Sequence, residues 1–175
     1  MADSKQVPEV RFKGFGDDWL SAQYMKIADV YRGLTYKPSD VSTSGVKVLR
    51  SSNISEDTFV QNQDDVYVNE AAVNIEASQE NDILITSANG STRLVGKHAI
   101  IKNLQHKTTH GGFMLLSRAK KPYFVNASMG SSWYRRFINT YVAGGNGAIG
   151  NLKKSDLEQQ IIFVPNDLEQ TKIGK

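Results

Sequence analysis

The sequence predicts an α+β fold of short mixed or antiparallel strands, few helices, and irregular loops rich in Gly, Ser and Asn. Three observations predict it. Short β-rich runs with polar or glycine borders recur along the chain. Clear helical periodicity is confined to one stretch, Ser131–Val142. No internal repeat, low-complexity tract or Pro/Ser linker divides the 175 residues, so they read as one domain. A domain of that length buries roughly 70% of its unfolded surface and needs no staple.

The strand signals, in order, are Val46–Arg50 (VKVLR), Val66–Val68, Ile83–Thr86 (ILIT), His98–Lys102 (HAIIK), Phe113–Ser117 (FMLLS) and Ile161–Val164 (IIFV). ILIT and FMLLS lack clean alternation, which predicts strands buried on both faces. Asn69–Ala77 carries a weaker helical pattern. In Ser131–Val142 the residues Trp133, Phe137 and Tyr141 fall at i, i+4 and i+8, with Tyr134, Ile138 and Val142 beside them. Arg135 and Arg136 interrupt that stripe and face elsewhere. Ser155-x-x-Glu158 and Asn166-x-x-Glu169 both fit a capping box, in which two side chains satisfy orphan N–H groups reciprocally. The second opens a helix of about 13 Å, which is marginal alone and must pack on something or continue.

Composition excludes several classes. There is no cysteine, so disulfides and thiolate metal sites are out. No apolar run is long enough to cross a membrane, and the opening lacks the apolar core of a signal peptide. The expectation is a soluble cytoplasmic protein that no membrane holds.

The net charge is +3, but it is unevenly spread. Residues 1–90 carry 8 basic and 14 acidic side chains, a balance of −6; residues 91–175 carry 13 and 4, a balance of +9. Between Asp82 and Asp156 lie 73 residues with 11 basic side chains and no carboxylate. A short charge run usually means a solvated face; a gap of this length predicts a surface that meets a polyanion.

Catalytic motifs are absent. Gly145-x-Gly147-x-x-Gly150 matches a dinucleotide fingerprint by letter, but too little chain follows it for the required strand and acidic residue. It reads as a glycine turn. His106 and His110 are four apart without the glutamate of a zincin, so no metal site is predicted and the histidines read as polar loop contacts. There is no nucleophile elbow, no phosphate-binding loop and no Asn/Asp-Pro-Pro-Tyr/Phe tetrapeptide of an amino-methyltransferase. The basic stretch has no carboxylate for general acid–base work. No catalytic residue and no cofactor is predicted.

Three loops mix Arg or Lys with Ser, Thr and Asn: Arg50–Asn53 after VKVLR, Ser87–Arg93 after ILIT, and Gln105–His110 before FMLLS. Arg and Lys read phosphate or guanine, Asn and Gln read adenine, and Ser and Thr read either. Composition and pattern alone leave two readings open, solvated polar loops and DNA-reading loops.

The ends of the chain add a resemblance. Pro8–Phe15 (PEVRFKGF) and Asp17–Trp19 (DDW) resemble the opening of specificity (S) subunits of type I restriction–modification enzymes. Ile149–Leu157 (IGNLKKSDL), Ile161–Pro165 (IIFVP) and Leu168–Gly174 (LEQTKIG) resemble the close of their target recognition domain. Val48–Ile54 (VLRSSNI), Asn81–Ile85 (NDILI) and Met129–Ser131 (MGS) fall between them in the family's order. Order and spacing, more than any one motif, carry the resemblance.

The resemblance implies a target recognition domain over residues 1–165 and, in residues 166–175, the truncated start of a spacer helix. The chain would then be roughly half a standard subunit, a fragment or a naturally short half-subunit. It implies a non-catalytic protein that reads one half of a bipartite double-stranded DNA target. It further implies methyltransferase (M) subunits and, through them, restriction (R) subunits as partners, with a dimer through the spacer helix if the chain is longer. The alternatives are a nonspecific nucleic-acid-binding module and a small-molecule enzyme. The expected DNA-binding residues are Arg50, Ser52, Asn53, Asn89, Ser91, Thr92, Arg93, Lys97, Lys107, His110, Lys153 and Lys154. Asn53 and Asn89 suit adenine, Arg50 and Arg93 suit guanine, and the four lysines suit phosphate.

Overall fold

A computed structural model describes residues 8, 10–62, 64–142 and 150–175. Met1–Val7 and two of the glycines expected to form a turn, Gly145 and Gly147, lie outside the described residues. The elements in chain order are β1 (Leu20–Gln23), β2 (Ala28–Arg32), β3 (Val41–Ser42), β4 (Val46–Leu49), β5 (Ile54–Ser55), β6 (Thr58–Phe59), β7 (Val66–Val68), β8 (Ile83–Thr86), β9 (His98–Ile100), β10 (Thr108–His110) and β11 (Met114–Ala119). Helices α1 (Pro122–Met129), α2 (Ser132–Tyr141) and α3 (Lys154–Glu158) follow, then β12 (Ile161–Val164) and α4 (Asp167–Ile173).

Two four-stranded sheets make the frame. The first runs β2-β11-β8-β9 and is antiparallel throughout. The second runs β10-β4-β7-β3, with one parallel pair, β10 with β4. This is the predicted α+β mixture of mixed and antiparallel strands.

The ILIT run of β8 explains how the layers meet. Ile83 and Ile85 project into one core with Tyr24, Leu115, Phe124, Phe137 and Leu157. Leu84, on the opposite face of the pleat, joins a second core with Leu49, Ile101, Met114 and Leu116. All four β8 residues are buried, as the missing alternation predicts. Each fully buried aliphatic side chain here contributes about 1.5–3 kcal/mol. In α2, Tyr134 and Phe137 are buried while Arg135 and Arg136 are exposed, as the periodicity predicts, but Tyr141 at the end of the predicted stripe is 44% exposed.

The sheets are tied where β10 runs into β11. Leu34 N–H donates to the His110 carbonyl at 2.7 Å, and Gly111 N–H donates to the Leu49 carbonyl at 2.9 Å. The crossing requires glycine: a Cβ on Gly33 would lie 1.9 Å from the Gly111 carbonyl oxygen.

Four expectations need correction. Asn69–Ala77 is not a helix; it holds one 3-10 turn, Glu70–Ala72. Its flanks are tied elsewhere in the fold: Asn69 N–H bonds to the Asp40 carbonyl and Ser78 N–H to that of Thr108 in β10. The helix α1 was missed, although Pro122 at its first turn and Gly130 at its end are start and stop signals. Phe113 precedes β11 and is 74% exposed, not part of a buried strand. Ser155 does not cap α3, which begins one residue earlier behind Lys153.

At α4 only half of the capping box forms. Asn166 accepts from Glu169 N–H at 3.0 Å. The Glu169 carboxylate instead receives two hydrogen bonds from Arg11, at 2.8 and 2.6 Å, and one from Trp19 Nε1 at 3.2 Å. The Arg11 hydrogen bonds hold this buried carboxyl below its usual range. Beside this clamp, β1 pairs antiparallel with β12. The short helix therefore packs on its own domain, against α1 and the opening segment.

Candidate nucleic-acid interface

Two of the three predicted loops meet. A cleft of about 1060 Å³ opens above the sheet junction, with Arg50, Ser51 and Ser52 on one side and Ala88, Asn89 and Gly90 on the other. Across it, Asn89 Nδ2 donates to Ser51 Oγ at 2.9 Å, joining residues 38 positions apart. Gly111, Gly112 and Phe113 line the same cleft, as do Thr35, Tyr36 and Asn151. Sequence reasoning missed all six of these. The glycine pair before Phe113 was the one available signal, since glycine marks close backbone approach.

The first loop is largely turned inward. Asn53 is fully buried. Its Oδ1 accepts from Arg50 N–H at 2.8 Å, and its Nδ2 donates to the Val60 carbonyl at 3.1 Å and to Asp65 at 2.9 Å. Asp65 also pairs with buried Lys47. Burial alone would raise the Asp65 pKa, but the hydrogen bonds from Lys47 and Asn53 outweigh it and hold the carboxylate ionised. The Arg50 guanidinium donates to the Asp64 carbonyl at 2.9 Å and remains partly exposed. Ser52 is exposed.

The second loop is turned outward. Asn89 Oδ1 accepts from Ser91 N–H at 2.9 Å, which closes an Asx turn. Thr92 and Arg93 then stand exposed on a 3-10 turn, Thr92–Leu94. Two backbone bonds fix the loop's base: Gly96 N–H to Thr86, and Thr86 N–H to the carbonyl of half-buried Lys97. Leu152 N–H donates to the Ser87 carbonyl at 2.8 Å, which sets exposed Lys153 one residue beyond the same loop.

The third loop goes elsewhere. His110 is 2% exposed in β10, and burial pushes its imidazole down to about 4. It lines a separate cavity of about 510 Å³ with Tyr31, Glu76, Arg118 and Lys154. Lys107 is paired with Glu70 at 3.0 Å, and Lys154 with Glu158 at 3.5 Å.

The carboxylate-free stretch is thus partly neutralised from outside itself. Arg118 bonds Asp82 and Glu76, Lys107 takes Glu70, Lys121 takes Asp167, and Lys154 takes Glu158. Arg93, Lys97, Lys102, Lys120, Arg135, Arg136 and Lys153 have no carboxylate partner among the described residues. Also among the described residues, no cluster of His, Asp and Glu could hold a metal ion, and no helix is long and apolar enough to cross a membrane.

Comparisons with known proteins agree with the motifs at both ends. No family profile matches the chain. The StySPI specificity subunit of a type I restriction enzyme from Salmonella potsdam is 28% identical over 169 residues, covering 91% of this chain and 35% of that protein. The EcoKI specificity subunit from Escherichia coli (strain K12) is 26% identical over 152 residues, covering 84% and 32%. The chain therefore spans about a third of the length of these relatives. In fold it is similar to the HsdS subunit from Thermoanaerobacter tengcongensis, with a TM-score of 0.56 at 12% identity over 97% of this chain and 38% of that one. The type I S subunit from M. genitalium gives 0.56 at 15% identity, over 97% and 40%. A chain from a structure describing assembly and conformational transition of the type I restriction–modification system gives 0.61 at 14% identity, over 97% and 39%. The resemblance to type I specificity subunits holds in both sequence and fold.

Proposed function

We propose that this chain, a relative of type I restriction enzyme specificity subunits, is a target recognition domain that reads one half of a bipartite duplex DNA sequence. One observation carries the reading above all. Two Arg/Ser/Asn loops, far apart in sequence, are joined across one cleft by the Asn89–Ser51 hydrogen bond. Both loops follow buried strands, and loops rooted in rigid strands can discriminate between bases. A compact domain of this length is about 40 Å across, enough for about one turn of B-DNA.

Base edges fall to Arg50, Ser52, Asn89, Ser91, Thr92 and Arg93, and phosphates to Lys97 and Lys153. Asn53 and His110 are buried, so both drop out of the set. Lys107 and Lys154 already have carboxylate partners and rank below Lys153. The domain itself is non-catalytic. Methyl transfer and cleavage belong to M and R subunits, and α4 begins the spacer that leads to a second half-site, by a longer chain or a second copy.

The test is selection from a randomised duplex library by the purified chain at low salt. Enrichment of one short motif is expected. Retention of all duplexes alike would replace this reading with a nonspecific nucleic-acid module. Incubation of the chain with duplex and S-adenosylmethionine should leave the DNA unlabelled.

A further inference from the structure

Phe113 is the most conspicuous side chain in the cleft that the proposed function does not use. It is 74% exposed, although large apolar residues are ordinarily inside. It is not a floppy loop residue. Its carbonyl accepts from both Ser87 N–H at 2.9 Å and Ala88 N–H at 3.1 Å, and the next residue, Met114, is anchored to Gly111 at 2.8 Å. The glycines before it pack tightly: a Cβ on Gly112 would sit 3.3 Å from the Leu34 carbonyl oxygen and from Thr35 Oγ1. The chain thus holds an aromatic ring out of the core from a rigid ridge, on the cleft that the Arg50 and Asn89 loops also line.

We propose that Phe113 reads the 5-methyl group of a thymine in the major groove. This rests on the DNA-reading function proposed above. The cleft's other reading groups are donors and acceptors, namely Arg50, Ser52 and Asn89, and these match the polar base edges. In a stacked duplex the faces of the bases are covered, so an aromatic side chain can reach only edges. The thymine methyl is the one apolar group on a major-groove edge, and phenylalanine has no polar atom to offer any other. Val41, 48% exposed, and Pro38 extend the apolar lining on the same cleft.

The test uses the full 175-residue chain and the duplex motif selected from the randomised library. Each thymine of that motif is replaced in turn by deoxyuridine, which removes the methyl alone. Binding should weaken about fourfold at one position, the value of one buried methyl. In Phe113→Ala the same replacement should make no difference, and in Phe113→Leu part of the effect should return. Circular dichroism of both variants should match the parent, since the ring is outside the core. A parent chain indifferent to every replacement overturns the proposal, as does a Phe113→Ala chain that stays fourfold sensitive. So does a selected motif without thymine. Affinity lost in Phe113→Ala without methyl sensitivity overturns it in favour of ring stacking at an opened base step. If the library yields no motif at all, the proposed function falls with it; if a motif appears without a methyl effect, only this assignment falls.

Discussion

The loops Arg50–Asn53 and Asn89–Arg93 contain the same kinds of residue and each contributes residues to the same cleft, yet they differ in where their hydrogen bonds go. In the first, Asn53 is sealed into a network with Arg50, Val60 and Asp65, and Arg50 leans on Asp64. In the second, Thr92 and Arg93 face solvent, and no described carboxylate reaches Arg93. The cause is local. Asp64 and Asp65 lie within 15 residues of the first loop, whereas the second sits in the 73-residue stretch without a carboxylate. A loop rich in Arg, Ser and Asn stays available to a ligand only if its own chain gives it no anion to bind.

The largest effect should come from testing the inward loop as structure. Asn53→Ala removes three hydrogen bonds at a fully buried site and strands the Val60 carbonyl and part of Asp65. A loss of about 3 kcal/mol in urea unfolding is expected. Arg93→Ala, by contrast, should leave stability within about 0.5 kcal/mol of the parent. Equal stability losses in the two variants would erase the distinction.

A second contrast of the same kind lies in the third loop, where His106 is exposed and His110 buried. Unfolded histidine titrates near 6.5, but native His110 stays neutral until about 4. Between these values the unfolded chain binds the extra proton. The stabilisation from a neutral, buried His110 is therefore complete above pH 6.5 and falls away as pH drops toward 4. From pH 7 to pH 5 the loss is about 2 kcal/mol. Chemical unfolding of His110→Gln should show a flatter pH dependence than the parent; some slope will remain because burial also lowers the pKa of His98.

The difference between these regions marks what could be read from sequence. The buried β8 strand, most of the α2 stripe and the rooting of polar loops on buried strands follow from local pattern, because residue spacing fixes which face a side chain takes; the meeting of the Arg50 and Asn89 loops, 38 positions apart, does not. Inward rotation of Asn53 does not, because it depends on Val60 and Asp65 folding back across β5 and β6. The Asn69–Ala77 segment failed for a related reason. Its helical pattern is confined to one 3-10 turn, and backbone bonds from Asn69 to Asp40 and from Ser78 to Thr108 tie the segment's flanks to the rest of the fold in an extended course. Pro122 and Gly130 were readable signals for α1 that periodicity alone passes over. Phe113 is the reverse case: an apolar residue beside an apolar run reads as core, and only the anchored ridge keeps it outside.

On the binding side, Arg93→Ala should weaken the selected duplex about tenfold and random duplex much less, as expected for a group that forks onto a base edge. Arg50→Ala should cost less than Arg93→Ala, because part of its guanidinium already serves Asp64. Fluorescence anisotropy on the two duplexes decides the order, and the reverse order would mean that the Asp64 contact opens on binding.

The smallest effects separate paired from unpaired lysines. If about five of the seven basic groups without carboxylate partners meet phosphates, log affinity should fall against log salt with a slope near −4.5. Lys153 stands beside the outward loop without a described carboxylate partner, so Lys153→Ala should shallow that slope by about 0.9 and weaken selected and random duplex alike. Lys107 is already neutralised by Glu70, and both side chains of that pair are more than half exposed. An exposed pair contributes little to stability, and a cation bound to its own carboxylate must surrender it before meeting a phosphate. Lys107→Ala should therefore leave both the unfolding midpoint and the salt slope where they are. A slope that shallows equally in the two variants would show that surface ion pairing does not decide which cations face DNA, and that the carboxylate-free stretch acts as one undivided basic field.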